Sequence, residues 1–126
     1  MIVYYILKNL ILTEIIEIFF SFILGIRNIN NYKIIILMNI ITNVTLSFIT
    51  YILFNFVNIN FYIYLIIIET IVILTEKIIL QKYFNFDIEK IFLINKIKTN
   101  NYKSFCLSLI LNFSSIIFGN IISKFI

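Results

Sequence analysis

The sequence predicts an all-α fold: a polytopic transmembrane bundle of four helices whose polar stripes face inward. Three observations carry that expectation. Hydrophobic residues fill 62% of the 126 positions and charged residues 13%, with a mean hydropathy of +1.07, whereas a soluble domain carries about 25% charged residues. Four apolar segments reach the roughly 20 residues that a helix needs to cross the hydrocarbon core. Within each segment the polar residues recur three, four or seven apart, which is one face of a helix.

The first helix is expected over 2–24, with Glu14, Glu17 and Ser21 on its polar face. The chain contains no alanine, so no A-x-A-like cleavage site exists and this segment should remain as a membrane helix. The polar run GIRNINNYK (25–33) breaks the pattern before a second helix, 34–56, whose face is Asn39, Thr42, Asn43 and Thr50. The uncharged run NFVNIN (55–60) precedes a third helix, 61–82, with a seven-residue ladder of Tyr62, Glu69, Glu76 and, just beyond it, Tyr83. After 83–103 the fourth helix, 104–126, carries the longest stripe: Ser104, Ser108, Asn112, Ser115, Gly119 and Ser123. No break has room for a soluble domain, so 1–126 is expected to form a single transmembrane domain. Lipid cannot satisfy polar groups, so the four stripes are expected to turn toward one another.

Orientation follows from the basic loops. The first carries Arg27 and Lys33; the third carries or adjoins Lys82, Lys90, Lys96, Lys98 and Lys103, against Asp87 and Glu89; the second has no charge. Loops one and three are expected in the cytoplasm and both termini on the outer side of a cell membrane. The apolar residues of loop three share no single helical face, and the loop reads as a basic cytoplasmic connection that can attract anionic headgroups. Asn-Asn-Tyr-Lys occurs twice, at 30–33 and 100–103. Either a duplicated hairpin or independent interfacial Tyr and Lys residues account for it.

The four glutamates dominate the chemistry. A charged side chain at the bilayer centre costs roughly 2.5–3.5 kcal/mol on insertion scales, and only Lys8 and Lys77 are near enough in sequence to compensate. In the expected topology Glu14 and Glu69 fall near the midplane, and Glu17, Glu76, Thr42, Asn43 and Asn112 lie in the cytoplasmic half. The candidate intramembrane cluster is therefore Glu14, Glu17, Asn39, Thr42, Asn43, Glu69, Glu76, Asn112 and Ser115. Two roles fit it: an interhelical acid–amide network, or a site for a proton, a cation or a polar ligand.

Other chemistry is sparse. The chain has no His and a single Cys, Cys106, so the usual zinc and iron ligand sets, an internal disulfide and a His-activated thiol are all missing. Carboxylate pairs suit acid–base work in general but specify no reaction, so no catalytic residue and no enzyme activity are expected. No cofactor is expected, and the pattern names no metal. No phosphate loop or nucleic-acid pattern is present, the pI near 9.2 arising from the loops. The expected partners are the lipid bilayer and either further copies of the chain, as a homo-oligomer, or a larger membrane complex in which it is a non-catalytic accessory subunit.

The run Asn39-Ile-Ile-Thr42-Asn43, then Glu69, Glu76 and Tyr83, then Asn112 and Ser115 resembles a family of small prokaryotic four-helix integral membrane proteins whose function is not established. The resemblance spans helices two to four and implies a fold and a candidate site, with no activity. A proline that often follows the N-x-x-T-N run in that family is Val44 here.

Overall fold

Four helices build the computed structural model, which describes residues 1–126, the Ile2 side chain excepted: α1 (Ile2–Ile23), α2 (Ile29–Phe56), α3 (Phe61–Tyr83) and α4 (Asn100–Ser123). The chain has no proline, so no helix loses an internal hydrogen bond to one. Side-chain caps set two of the starts. Asn28 Oδ1 accepts the Asn30 amide at 2.8 Å, and Asn60 Oδ1 accepts the Tyr62 amide at 3.0 Å, each satisfying an amide that the first turn leaves without a partner. The Asn28 cap starts α2 at 29 rather than 34, and α4 runs from 100 to 123 rather than 104 to 126. Hydropathy locates the apolar span of a helix and misses the polar turns that extend it.

Each helix packs on its neighbours in sequence, and α4 returns onto α1; among the described residues the backbones of the diagonal pairs, α1 with α3 and α2 with α4, do not approach closely. The result is a ring of four helices of alternating direction. The α3–α4 seam is the most extensive and α2–α3 the least.

The apolar core sits at one end of this ring. Leu24, Ile26, Ile35, Met38, Leu80, Leu107 and Leu111 meet Phe84, Phe86, Ile91 and Ile94, which arrive from the connection between α3 and α4. That connection forms no helix, and its basic residues Lys90, Lys96 and Lys98 stay exposed, as do Ile88, Phe92 and Leu93, while Phe84, Phe86, Ile91 and Ile94 turn inward. It is a strap across the end of the bundle as well as a basic loop. The Phe92 amide donates to the Leu24 carbonyl at 2.7 Å. The buried Glu89 carboxylate accepts the backbone amides of Arg27 (3.0 Å to Oε2) and Asn28 (2.8 Å to Oε1) and the Asn31 side chain (3.0 Å). Asn31 in turn exchanges bonds with the Asn85 backbone, at 3.0 and 3.1 Å. Gly25 lets the two segments touch: at φ +98° it occupies the left-handed region, and a Cβ there would lie 2.8 Å from the Lys90 carbonyl oxygen.

The two Asn-Asn-Tyr-Lys runs do different work. In the first, Asn31 is buried against the strap and the Tyr32 hydroxyl donates to the Ile26 carbonyl at 2.8 Å. In the second, Asn101 and Tyr102 are exposed in the first turn of α4.

α2 and α4 are long and apolar enough to cross a membrane, and only 22% and 28% of their apolar stretches are buried within the chain. α1 and α3 are of comparable length, but every 18-residue stretch of either holds at least three charged residues. Their outer faces are nonetheless apolar and exposed, at Ile11, Ile15 and Phe19 in α1 and at Ile67, Ile71 and Ile78 in α3.

Candidate functional site

The polar stripes meet midway along the ring. Glu76, 1% exposed, is the hub on α3. Its Oε1 accepts the Thr42 hydroxyl of α2 at 3.1 Å; its Oε2 accepts the Ser108 hydroxyl of α4 at 3.2 Å and the Asn112 amide. One carboxyl group therefore ties three helices. On the other side of the ring Glu17 of α1, also 1% exposed, accepts the Asn39 amide of α2 at 2.7 Å. Asn43, one turn along, donates to the Asn39 carbonyl at 3.0 Å. Glu17 lies within electrostatic reach of Glu76 and Glu14 and beside Ser115 of α4. The α1–α4 seam is finished by Phe20 on Phe118, with ring centroids 5.0 Å apart. The helical spacing explains the convergence: Glu14 and Glu17, Asn39 and Asn43, and Ser108 and Asn112 are each one turn apart, so each helix presents one edge to the axis.

Two glutamates stand outside this network. Glu69 is half-buried and, among the described residues, takes no hydrogen bond. Both carboxyl oxygens of Glu14 are buried without a partner, as are Asn39 Oδ1 and Ser21 Oγ.

A cavity of about 1070 Å³ opens beyond the Glu76 hub. Glu69, Glu76, Asn43, Asn112 and Ser115 form its polar wall, and Leu46, Leu65, Ile66, Phe113 and Ile116 its apolar one. Tyr5, Lys8, Asn9, Phe61, Asn120 and Ser123 line it toward the helix ends opposite the strap. Interiors pack to the density of organic crystals, so a space of this size is a feature of the fold. It arises where the helix backbones stand apart across the ring and α4 contributes the small residues Ser115, Gly119 and Ser123 to the wall.

The expected cluster is thus brought together in two parts. Thr42, Glu76 and Asn112 form one and Glu17 and Asn39 the other, with Asn43 and Ser115 between them, while Glu14 and Glu69 remain unengaged. The seven-residue ladder of α3 is buried only in its middle, since Tyr62 and Tyr83 are exposed. A strict heptad drifts by about 20° per repeat on a straight helix, which carries the ladder's ends off the inner face. Ser108 belongs in the cluster, and its place in the α4 stripe was the signal for it. The Glu89–Asn31 pairing had no such signal, because neither residue lies in a periodic segment.

Among the described residues no group of three or more His, Cys, Asp or Glu side chains is placed to hold a metal ion. No protein-family model matches the chain, and neither a curated protein nor a solved structure matches it.

Proposed function

We propose that the chain is a small integral membrane protein of four spanning helices whose internal cavity receives a small polar or cationic solute. The observation that carries this reading is the cavity itself. Its volume lies just above the roughly 300–1,000 Å³ usual for ligand pockets, and its polar wall carries an unengaged carboxyl, Glu69, beside a carboxyl and amides already fixed in place. Four features support the membrane setting. Two helices are apolar enough to cross. α1 and α3, at 22 and 23 residues, would span about 33–35 Å at 1.5 Å per residue, against roughly 30 Å of hydrocarbon. Their charged residues are offset by apolar outer faces. The basic strap and the Arg27 loop lie together at one end, which supports a cytoplasmic position for that end and, in this reading, an outer position for both termini and the cavity mouth. The reading is one of binding rather than catalysis, because Glu17 and Glu76, the most deeply placed carboxyls, are committed to hydrogen bonds.

Thiol accessibility tests it. In a Cys106→Ser background in sealed vesicles, Ser115→Cys should react with a quaternary-ammonium methanethiosulfonate severalfold faster than with its sulfonate analogue, and Glu69→Gln should abolish that preference. Ile117→Cys, on the exposed apolar face of α4, should react with neither. A Ser115→Cys unreactive toward both reagents would mean a dry seam, and the cluster would then be a structural network.

A further inference from the structure

Charge is sparse on the cavity wall. Three side chains with a formal charge line it: Lys8 of α1, and Glu69 and Glu76 of α3. α2 has no charged residue after Lys33 and α4 has none between Lys103 and Lys124, so both give the wall neutral groups only, among them Asn43, Asn112 and Ser115. Glu76 is already met by the Thr42 and Ser108 hydroxyls and the Asn112 amide. Lys8 and Glu69 remain, each half-buried and opposite in sign.

The two stand at one depth. α1 and α3 run in the same direction, and Lys8 lies six residues past the start of α1 while Glu69 lies eight past the start of α3. At 1.5 Å per residue that is an offset of about 3 Å along the bundle. The approach of Glu17 to Glu76 fixes the register of the two helices independently. Counting back nine residues to Lys8 and seven to Glu69 again leaves an offset of about 3 Å. The helices are diagonal in the ring and their backbones do not approach closely, and Glu69 has neither a donor nor a cation against its carboxyl. One side of the cavity thus presents an ammonium and the other a carboxylate, level with each other and unpaired.

A cation held at Glu69 alone would leave the Lys8 ammonium uncompensated in a wall that includes Leu12, Leu65 and Ile66, and the two positive charges would repel. An anion held at Lys8 meets the same objection from Glu69. A molecule that carries both charges answers both groups and brings no net charge into the span. We propose, on the reading of the cavity as a solute site, that its solute is a small zwitterion of the amino-acid class, its ammonium on the Glu69 carboxylate and its carboxylate on the Lys8 ammonium. Charge-assisted hydrogen bonds are roughly twice as strong as neutral ones, so the second charged group sets the selectivity. At about 1070 Å³ the cavity has room for such a molecule and for water beside it.

Protection of a thiol from modification tests the solute class. In a Cys106→Ser, Ser115→Cys background in sealed vesicles, reaction with a neutral methanethiosulfonate is timed against rising concentrations of two series. One is the ω-amino acids from glycine to γ-aminobutyrate; the other is the amino alcohols in which a hydroxymethyl group replaces the carboxylate. At least one amino acid should half-protect the thiol at a concentration about tenfold or more below that of its amino alcohol. Lys8→Gln should abolish that advantage and leave protection by the amino alcohol, Lys8→Arg should retain the advantage, and Glu69→Gln should weaken protection by both series. The comparison of the two series needs no variant at Lys8, so it decides even where Lys8→Gln does not fold. A Ser115→Cys unreactive without any solute would refute the cavity as a solute site, and the zwitterion with it. A reactive Ser115→Cys that no amino acid protects better than its amino alcohol, or a Lys8→Gln variant that keeps the full advantage, would overturn the zwitterion and leave the cavity reading standing.

Discussion

Replacing Glu76 with leucine and with glutamine separates the contribution of its hydrogen bonds from that of its shape. Leucine fills the same buried position and accepts nothing, so all three donors lose their acceptor. The three are not equally stranded. The Thr42 hydroxyl has the Met38 carbonyl at 3.0 Å, and the Ser108 hydroxyl has the Ile73 carbonyl at 3.1 Å. The Asn112 amide has the Ser108 carbonyl at 2.9 Å for one hydrogen, and for the other only the Ser108 hydroxyl oxygen at 3.4 Å, a contact too long to replace the carboxylate. The expected cost is therefore that of one buried unsatisfied donor, about 1–3 kcal/mol, rather than three times that. An independent figure agrees, since three interhelical bonds at about 0.6 kcal/mol each sum to roughly 2 kcal/mol. Glutamine keeps one acceptor oxygen in the place of Oε2 for Asn112 and Ser108 and offers an N–H₂ to the Thr42 hydroxyl oxygen, so Glu76→Leu should lie below Glu76→Gln by about 1–3 kcal/mol. Equilibrium unfolding of the two variants in mixed detergent micelles measures the difference directly. Equal stabilities would refute the reasoning, because the hub would then be contributing volume and no hydrogen bonds.

Three further perturbations have defined outcomes. Ser108→Leu should destabilise the bundle more than Ser115→Leu, and both more than Ile117→Leu, in a detergent melt, because Ser108 is fully buried on the α3–α4 seam while Ser115 borders the cavity and Ile117 is exposed. Glu89→Ala should free the strap by leaving two backbone amides and the Asn31 side chain without an acceptor, at a cost of about 1–3 kcal/mol or more, and limited proteolysis between 84 and 99 should speed up while cleavage between α2 and α3 does not. A C-terminal alkaline-phosphatase fusion should be active and a C-terminal GFP fusion dark if both termini are outside; the reverse pattern would invert the orientation and put the cavity mouth in the cytoplasm.

What could be read from the chain follows from what periodicity records. The four helices were legible because their apolar stretches approach membrane length, and the polar edges of α1, α2 and α4 because Glu14–Glu17, Asn39–Asn43 and Ser108–Asn112 repeat at helical spacing. The division of labour among the glutamates was not. Glu69 and Glu76 sit seven apart on one helix and look equivalent, yet a small rotation of α3 sends Glu76 into three donors and leaves Glu69 against open space. That rotation is fixed by Tyr64, Ile68, Val72 and Leu80 packing inward, a set indistinguishable by hydropathy from the exposed Ile67, Ile71 and Ile78. The strap was illegible for a different reason. Its burial depends on alternating contacts of Phe84, Phe86, Ile91 and Ile94 in irregular backbone, and on Gly25 permitting the close approach, neither of which leaves a helical period.

The central claim is that α3, with its carboxylates inside, crosses a bilayer with its isoleucine face toward lipid. Spin labels placed one at a time along α3, in a Cys106→Ser background reconstituted into lipid, test it through their relaxation by oxygen, which partitions into hydrocarbon, and by a water-soluble nickel chelate. The account predicts high oxygen and negligible nickel accessibility at Ile67, Ile71 and Ile78, with nickel accessibility appearing at Glu69 and Ile73, which line the cavity. Nickel accessibility at Ile67, Ile71 and Ile78 equal to that at Glu69 would contradict it, because the isoleucine face of α3 would then lie in water rather than against lipid.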